Sequence, residues 1–154
     1  MRQTCKQCGA ALIELAISLP LLVVITFGIT ELGRAAYDYN TIAKAARDAT
    51  RFLSTKAPGD TDSIDDAKCF AVYGNPTCTG APLAPGLTTD MVSVCDALSC
   101  PSTHQAQGTA PVINLVTVTI GGGTENPYTF GSVMPFVIPD IDFSAISVTM
   151  KQVL

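Results

Sequence analysis

The sequence predicts an α+β protein: a long N-terminal transmembrane helix that extends into a small domain with an antiparallel sheet. Three observations carry that expectation. Ala10 to Thr30 reads AALIELAISLPLLVVITFGIT, an apolar run whose single charge is Glu14. As a helix with a ~1.5 Å rise per residue it covers roughly 31 Å, about one hydrocarbon core. Beyond Glu31 an apolar stripe continues at helical spacing. After Ala57, glycines and prolines separate short runs rich in β-branched residues, the pattern of short strands joined by turns.

The stripe consists of Leu32, Ala35, Tyr39, Ile42, Ala46, Ala49 and Leu53. Steps of three and four place these residues on one helix face. One continuous helix from Ala10 to about Ser54 would be roughly 65 Å long. Arg34–Asp38 and Lys44–Asp48 have i,i+4 spacing on the other faces, where such pairs add a few tenths of a kcal/mol. The half beyond the membrane needs a partner for its stripe; its own domain is the first candidate and other helices are the second. Pro20 and Gly28 interrupt the apolar run. A proline removes one backbone hydrogen bond and crowds the preceding turn, so a bend is expected there.

Ala57–Pro58–Gly59 ends the long helix. Thr61 to Ser63 can cap a second one, with Asp65 and Asp66 in its first turn, running through Ala67, Phe70, Ala71 and Tyr73 to Gly74–Asn75–Pro76. Aspartates there suit the positive end of the helix dipole. Thr77 to Thr89 reads as loop, Met91 to Cys95 as a short strand, and Pro101 to Pro111 as loop again. Ile113 to Ile120 is the clearest strand. Val116, Val118 and Ile120 alternate with Thr117 and Thr119, which gives one face toward the helix. The triple glycine from Gly121 breaks it. Asn126 to Ile138 is interrupted by Pro127 and Pro135 and reads as short strand or loop. Ser144 to Leu154 returns to alternation, with Ile146, Val148 and Met150 on one face.

Charge and cysteines assign sides to this plan. Arg2 and Lys6 precede the apolar run, which keeps the N-terminus cytoplasmic and exports the residues beyond the helix. The 154 residues include 9 basic and 13 acidic ones. An acidic chain of this kind is a poor partner for nucleic acid, which needs a basic surface. Cys5 and Cys8 fall on the cytoplasmic side, where thiols stay reduced. Cys69, Cys78, Cys95 and Cys100 fall on the exported side, where disulfides persist. Four cysteines allow three pairings. Cys69–Cys78 and Cys95–Cys100 are favoured because both close short loops, and the other pairings stay open.

The N-terminus carries a motif as well as a charge pattern. A short basic leader ends at Gly9, Ala10 follows, and Glu14 is the fifth residue after the Gly9–Ala10 bond. A carboxylate in such a run costs a few kcal/mol unless it is paired. This resembles a type IV prepilin signal. The longer pattern of Gly9, Glu14, Leu19–Pro20, Phe27–Gly28, Glu31, Gly33–Arg34 and Ala45–Ala46–Arg47 resembles the start of TadE-like proteins, minor pilins or pseudopilins of tight-adherence (Flp) pilus systems. It covers roughly the first third of the chain.

The resemblance implies several things. A prepilin peptidase would remove residues 1–9 on the cytoplasmic face. Residues 10–56 would form the transmembrane and extended helix, and residues 57–154 a pilin-like exported domain. Loss of Arg2 and Lys6 with the leader would leave 7 basic against 13 acidic residues. Glu14 would meet the new amine of Ala10, on its own chain or a neighbour; the plain alternative is a carboxylate snorkelling at the interface. An amine of pKa ~8 is mostly protonated at neutral pH, so that ion pair is reasonable in low dielectric. Pro20 would be a functional kink that loosens in a filament, or a tolerated bend. Partners would be the peptidase, membrane lipid, other pilins or pseudopilins and inner-membrane assembly proteins, with no cofactor.

Other constellations are weaker. Cys5-Lys6-Gln7-Cys8 has redox or zinc spacing, but a tetrahedral site needs two further ligands. Asp60, Asp62, Asp65 and Asp66 lack the spacing and glycine of an EF-hand and suit a helix start. His104 has Ser102 and Asp96 near it in sequence but no nucleophile motif, so no enzyme is expected. Two rivals remain: a membrane-resident assembly factor that never enters a filament, and a small secreted binding protein with an ordinary signal peptide. Glu14 and Pro20 suit a secretory signal poorly, and Gly33-Arg34-Ala35 is a weak cleavage site.

Overall fold

The computed structural model describes residues 8–107, 113–122 and 126–153. The leader residues Arg2, Cys5 and Lys6, and Gly123 of the triple glycine, lie outside these. Helix α1 runs without a break from Cys8 to Leu53 and passes through Pro20. Helix α2, Thr61–Tyr73, packs across its distal half, where the Phe52 and Phe70 rings meet at 5.0 Å. Gly74 ends α2 in the left-handed conformation, φ 74°, and its amide donates to the Phe70 carbonyl. Glycine takes that conformation without a Cβ clash.

A three-stranded antiparallel sheet lies on the same half of α1, in the order β1 (Val92–Cys95), β2 (Asn114–Ile120), β5 (Ile146–Gln152). Its register pairs Val94 with Val118, and Val118 with Val148. The inward face carries Val92, Val116, Val118, Ile120 and Ile146, all buried, as the alternation predicts. The outward face is a hydroxyl ladder in which Thr117 meets Thr149 at 2.7 Å and Thr119 meets Ser147 at 2.9 Å. Two-residue strands β3 (Thr129–Phe130) and β4 (Ile141–Asp142) form a separate antiparallel ribbon. The α+β expectation with an antiparallel sheet therefore holds.

The core joins Ile42, Ala46, Ala49 and Leu53 of α1 to Ala67, Ala71 and Val72 of α2 and to the sheet's inner face. The alanines let backbones approach closely, and each large apolar side chain buried there stabilises by about 1.5–3 kcal/mol. The C-terminal strand is tied to the end of α1. The Val153 amide donates to the Ser54 carbonyl at 2.9 Å, and Gln152 Nε2 to the Lys56 carbonyl at 3.2 Å.

Four expectations need correction. Of the expected stripe of α1, Ala35, Ile42, Ala46, Ala49 and Leu53 are buried, but Leu32 and Tyr39 are exposed and Glu31 and Asp38 are buried in their place. Arg34 reaches back to Glu31 at 2.9 Å rather than forward to Asp38, and Lys44–Asp48 is not among the ion pairs of the described residues. Asp60, not Thr61 to Ser63, occupies the N-cap position of α2, without a side-chain cap hydrogen bond; its carboxylate accepts from Ser63 Oγ at 2.6 Å, and the first-turn acid is Asp62. The expected loop from Pro101 opens with a one-turn helix, α3 (Pro101–His104), because proline suits a first helical position.

Candidate functional site

Two stretches of α1 carry the residues singled out by sequence, and they differ in surroundings. Gly9, Ala10 and Glu14 are exposed in the first turns of the helix, and among the described residues no atom lies within 4 Å of a Cβ placed on Gly9. The Ser18 hydroxyl donates to the Glu14 backbone carbonyl at 2.7 Å, a local back-bond within the helix. Pro20 continues the helix but has no N–H for the Ala16 carbonyl. From Gly9 to Thr30 every side chain is exposed except Ser18 and Gly28, which are half-buried. Leu12, Ile17, Leu21 and Ile29 are each at least 63% exposed. Such an apolar surface is not stable in water.

At Gly28 the surroundings change. A Cβ there would meet Val137 Cγ1 at 3.8 Å. One turn on, the Glu31 carboxylate is almost fully buried. Arg34 Nη1 bridges both its oxygens at 2.9 and 3.0 Å, the Val133 amide donates to Oε2 at 3.2 Å, and the Ser132 hydroxyl lies at 3.4 Å. Burial pushes this carboxyl up, but the Val133 amide and the Arg34 guanidinium outweigh it and hold it below the usual range. Arg34 also stacks over the Phe130 ring, 5.3 Å from its centroid. The result is a clamp: Glu31 and Arg34 on α1 grip the Phe130–Val133 segment about 100 residues later. A buried charge needs such partners.

Asp38, one further turn along, sits under Tyr128. Burial raises the Asp38 carboxyl, partly offset by Arg34. Burial and the Asp38 charge push the Tyr128 hydroxyl up to about 12, and that hydroxyl donates to the Pro85 carbonyl at 3.1 Å.

At the opposite end of the domain, Cys95 is bonded to Cys100 and Cys69 to Cys78, with Cα separations of 5.6 and 4.7 Å. His104 packs against the first pair: its Nδ1 lies 3.7 Å from Cys95 Sγ and its Nε2 2.7 Å from Thr117 Oγ1. The two sulfurs and the imidazole are close enough to share a metal ion, but each sulfur is already committed to the other. Asp96 does not approach His104 as a catalytic orienter would. Its carboxylate accepts from the amides of Gly59, Leu98 and Ser99 at 2.7, 3.0 and 2.8 Å and fixes the loop beside the end of α1. The sequence reading misses this role of Asp96. Its signal is the Asp-x-x-Ser spacing of Asp96 and Ser99, a turn-forming pattern. The reading also misses the clamp on Glu31, for which the only signal is an uncharged stretch, Gly131–Pro139, with no strand alternation.

Taken together, these features define a class: a protein with, among the described residues, one N-terminal helix long and apolar enough to cross a membrane, whose distal half is built into an α+β domain. Residues 9–51 match the family model of TadE-like protein, so this segment of the chain is similar to that family. The match covers α1 and stops before α2 and the sheet. No curated protein and no solved structure gives a significant match.

Proposed function

We propose that this chain is a TadE-like minor pilin or pseudopilin that acts in assembly of a tight-adherence (Flp) pilus used for surface attachment. The observation that carries the reading is the apolar half of α1, exposed from Gly9 to Thr30 with Glu14 as its only charge, inside a TadE-like match. Such a surface needs a bilayer or neighbouring helices, and a subunit that moves between the two uses both.

The steps follow from the residues. The chain inserts with its N-terminus cytoplasmic, and a prepilin peptidase cuts Gly9–Ala10. Gly9 is a poor helix former in the first turn of α1, where opening the helix costs least. The Ala10 amine released by the cut is cationic at neutral pH and becomes the partner of a Glu14 carboxylate. In the exported compartment Cys69–Cys78 and Cys95–Cys100 stay oxidised. The role is non-catalytic and takes no cofactor, and its partners are pilins, assembly proteins and lipid.

The test is the N-terminus and intact mass of the membrane-extracted protein, with and without active prepilin peptidase. A peptidase-dependent start at Ala10 supports the reading. A leader retained in both samples leaves a plain single-pass anchor, and a start near Ala36 means a secreted protein.

A further inference from the structure

We propose that the loop Gly131–Asp140 docks onto the lipid surface beside α1, with Val133 and Phe136 entering the bilayer interface. The proposal rests on the reading that the apolar half of α1 spans a bilayer. Depth along the helix is the first argument. The loop touches α1 at Glu31, one residue beyond the apolar run, and at Gly28, inside it. A helix that buries its apolar run in lipid brings this loop to the interface with it.

Exposure is the second argument. Phe136 is 81% exposed and Val133 69% exposed. On the helix beside them, Leu32, one turn from Gly28, is also exposed, as is Ile29. These side chains extend the lipid-facing surface of α1 onto the domain.

The third argument is the chemistry of the loop. Gly131 to Pro139 contains no charge, and five of its seven backbone N–H groups, all but those of Gly131 and Phe136, have partners among the described residues. The Ser132 amide donates to Asp140 Oδ1 at 2.9 Å, the Val133 amide to Glu31, and the Met134 amide to Ser132 Oγ at 3.2 Å. The Val137 and Ile138 amides both donate to the Met134 carbonyl, at 2.9 and 3.1 Å. Pro135 and Pro139 have no N–H to satisfy. Irregular backbone near hydrocarbon needs its polar groups paired, and at the interface water remains to meet the Gly131 and Phe136 amides. Glu31 and Arg34 then act as a positioning pair that holds the loop at fixed depth.

The chain contains no tryptophan, so a single introduced one reports its own surroundings. Phe136→Trp and Val133→Trp are placed in the full chain, reconstituted in vesicles of phosphatidylcholine brominated on its acyl chains. Two reference variants accompany them: Ile17→Trp in the apolar run, and Val153→Trp at the far end of α1. The proposal predicts that brominated lipid removes most of the Phe136→Trp and Val133→Trp emission, as it does for Ile17→Trp. It also predicts emission to the blue of Val153→Trp and weak quenching by aqueous acrylamide. If Ile17→Trp is quenched by brominated lipid but both loop variants behave like Val153→Trp, the loop stays in water and the proposal fails alone. Loop variants shielded from acrylamide yet untouched by brominated lipid would mean that protein covers the loop, which also overturns it. An unquenched Ile17→Trp removes the membrane reading and this inference with it.

Discussion

On either side of Glu31, α1 has the same secondary structure and opposite surroundings. Below it, Leu12, Ile13, Ile17, Leu21 and Leu22 all point away from the protein, and Glu14 is the lone charge among them. Above it, Ile42, Ala46, Ala49, Thr50 and Leu53 are buried to 3% exposure or less against α2 and the sheet. Both halves belong to one continuous α-helix, so the difference between them lies in side-chain size and the presence of a partner. Large aliphatic residues fill the lower half all round, as lipid or neighbouring helices require. Alanines dominate the inner face of the upper half, where a sheet and a second helix must approach closely. A single helix can serve two environments because its backbone hydrogen bonds are satisfied internally in both, save at the Ala16 carbonyl that Pro20 leaves without a donor.

The largest effect that separates the halves comes from equal deletions in each. Ile42→Ala should cost the domain ~2–5 kcal/mol by loss of buried surface and cavity formation. Ile17→Ala, at a site 71% exposed, should leave domain unfolding unchanged. Urea titration of both variants in mild detergent, followed by near-ultraviolet circular dichroism, reads the difference. Similar losses for both would mean that the lower half is part of the domain's core.

Replacing one pair of cysteines by serine tests how far the upper half depends on its staples. The bonds span 9 and 5 residues of sequence, and closure of such short loops is worth about 2–3 kcal/mol each by chain entropy. The same titration on Cys69→Ser/Cys78→Ser should show a loss of that order, with membrane insertion unaffected.

A smaller, pH-dependent effect belongs to Asp96. Burial works against its charge, but the amides of Ser99, Gly59 and Leu98 and the Ser99 hydroxyl hold the carboxyl below its usual range. A depressed folded pKa gives stability that is present above the unfolded pKa of about 3.9 and is lost as pH falls through the folded one. Unfolding measured from neutral pH to below about pH 4 should therefore show an acid-side decline. Asp96→Asn should flatten that decline and cost ~1–3 kcal/mol at neutral pH, because the amide cannot accept from all three N–H groups. An unchanged acid limb in the variant would remove Asp96 from this role.

How much of this is legible in the sequence depends on how local the cause is. The apolar run, the β2 and β5 alternations and the stop of α2 at Gly74 are written in neighbouring residues, and the structure agrees with them. The stripe of α1 reads correctly from Ala35 through Ile42 to Leu53 but one residue away at Leu32 and Tyr39, which are apolar where the buried neighbours Glu31 and Asp38 are charged. The groups that bury Glu31 are Ser132 and Val133, about 100 positions later, and no local pattern announces such a partner. The ribbon of β3 and β4 is only half legible, with β3 inside the stretch read as short strand or loop and β4 missed, because two-residue strands are too short to show a period. The match to TadE-like protein lies within the part that sequence reads best, the helix, and the clamp belongs to the part it reads least.

The most direct test of the two-environment account is a chain cut to residues 28–154, which keeps Gly28 and Glu31 but removes the exposed apolar turns. Its unfolding is compared with that of the full chain in the same detergent buffer. The account predicts a protein that is soluble without detergent and unfolds in one transition within about 1 kcal/mol of the full chain, since surface regions contribute little to core stability. A truncated chain that lacks near-ultraviolet signal or aggregates after detergent removal would show that the lower half of α1 holds the domain together, and would contradict the account.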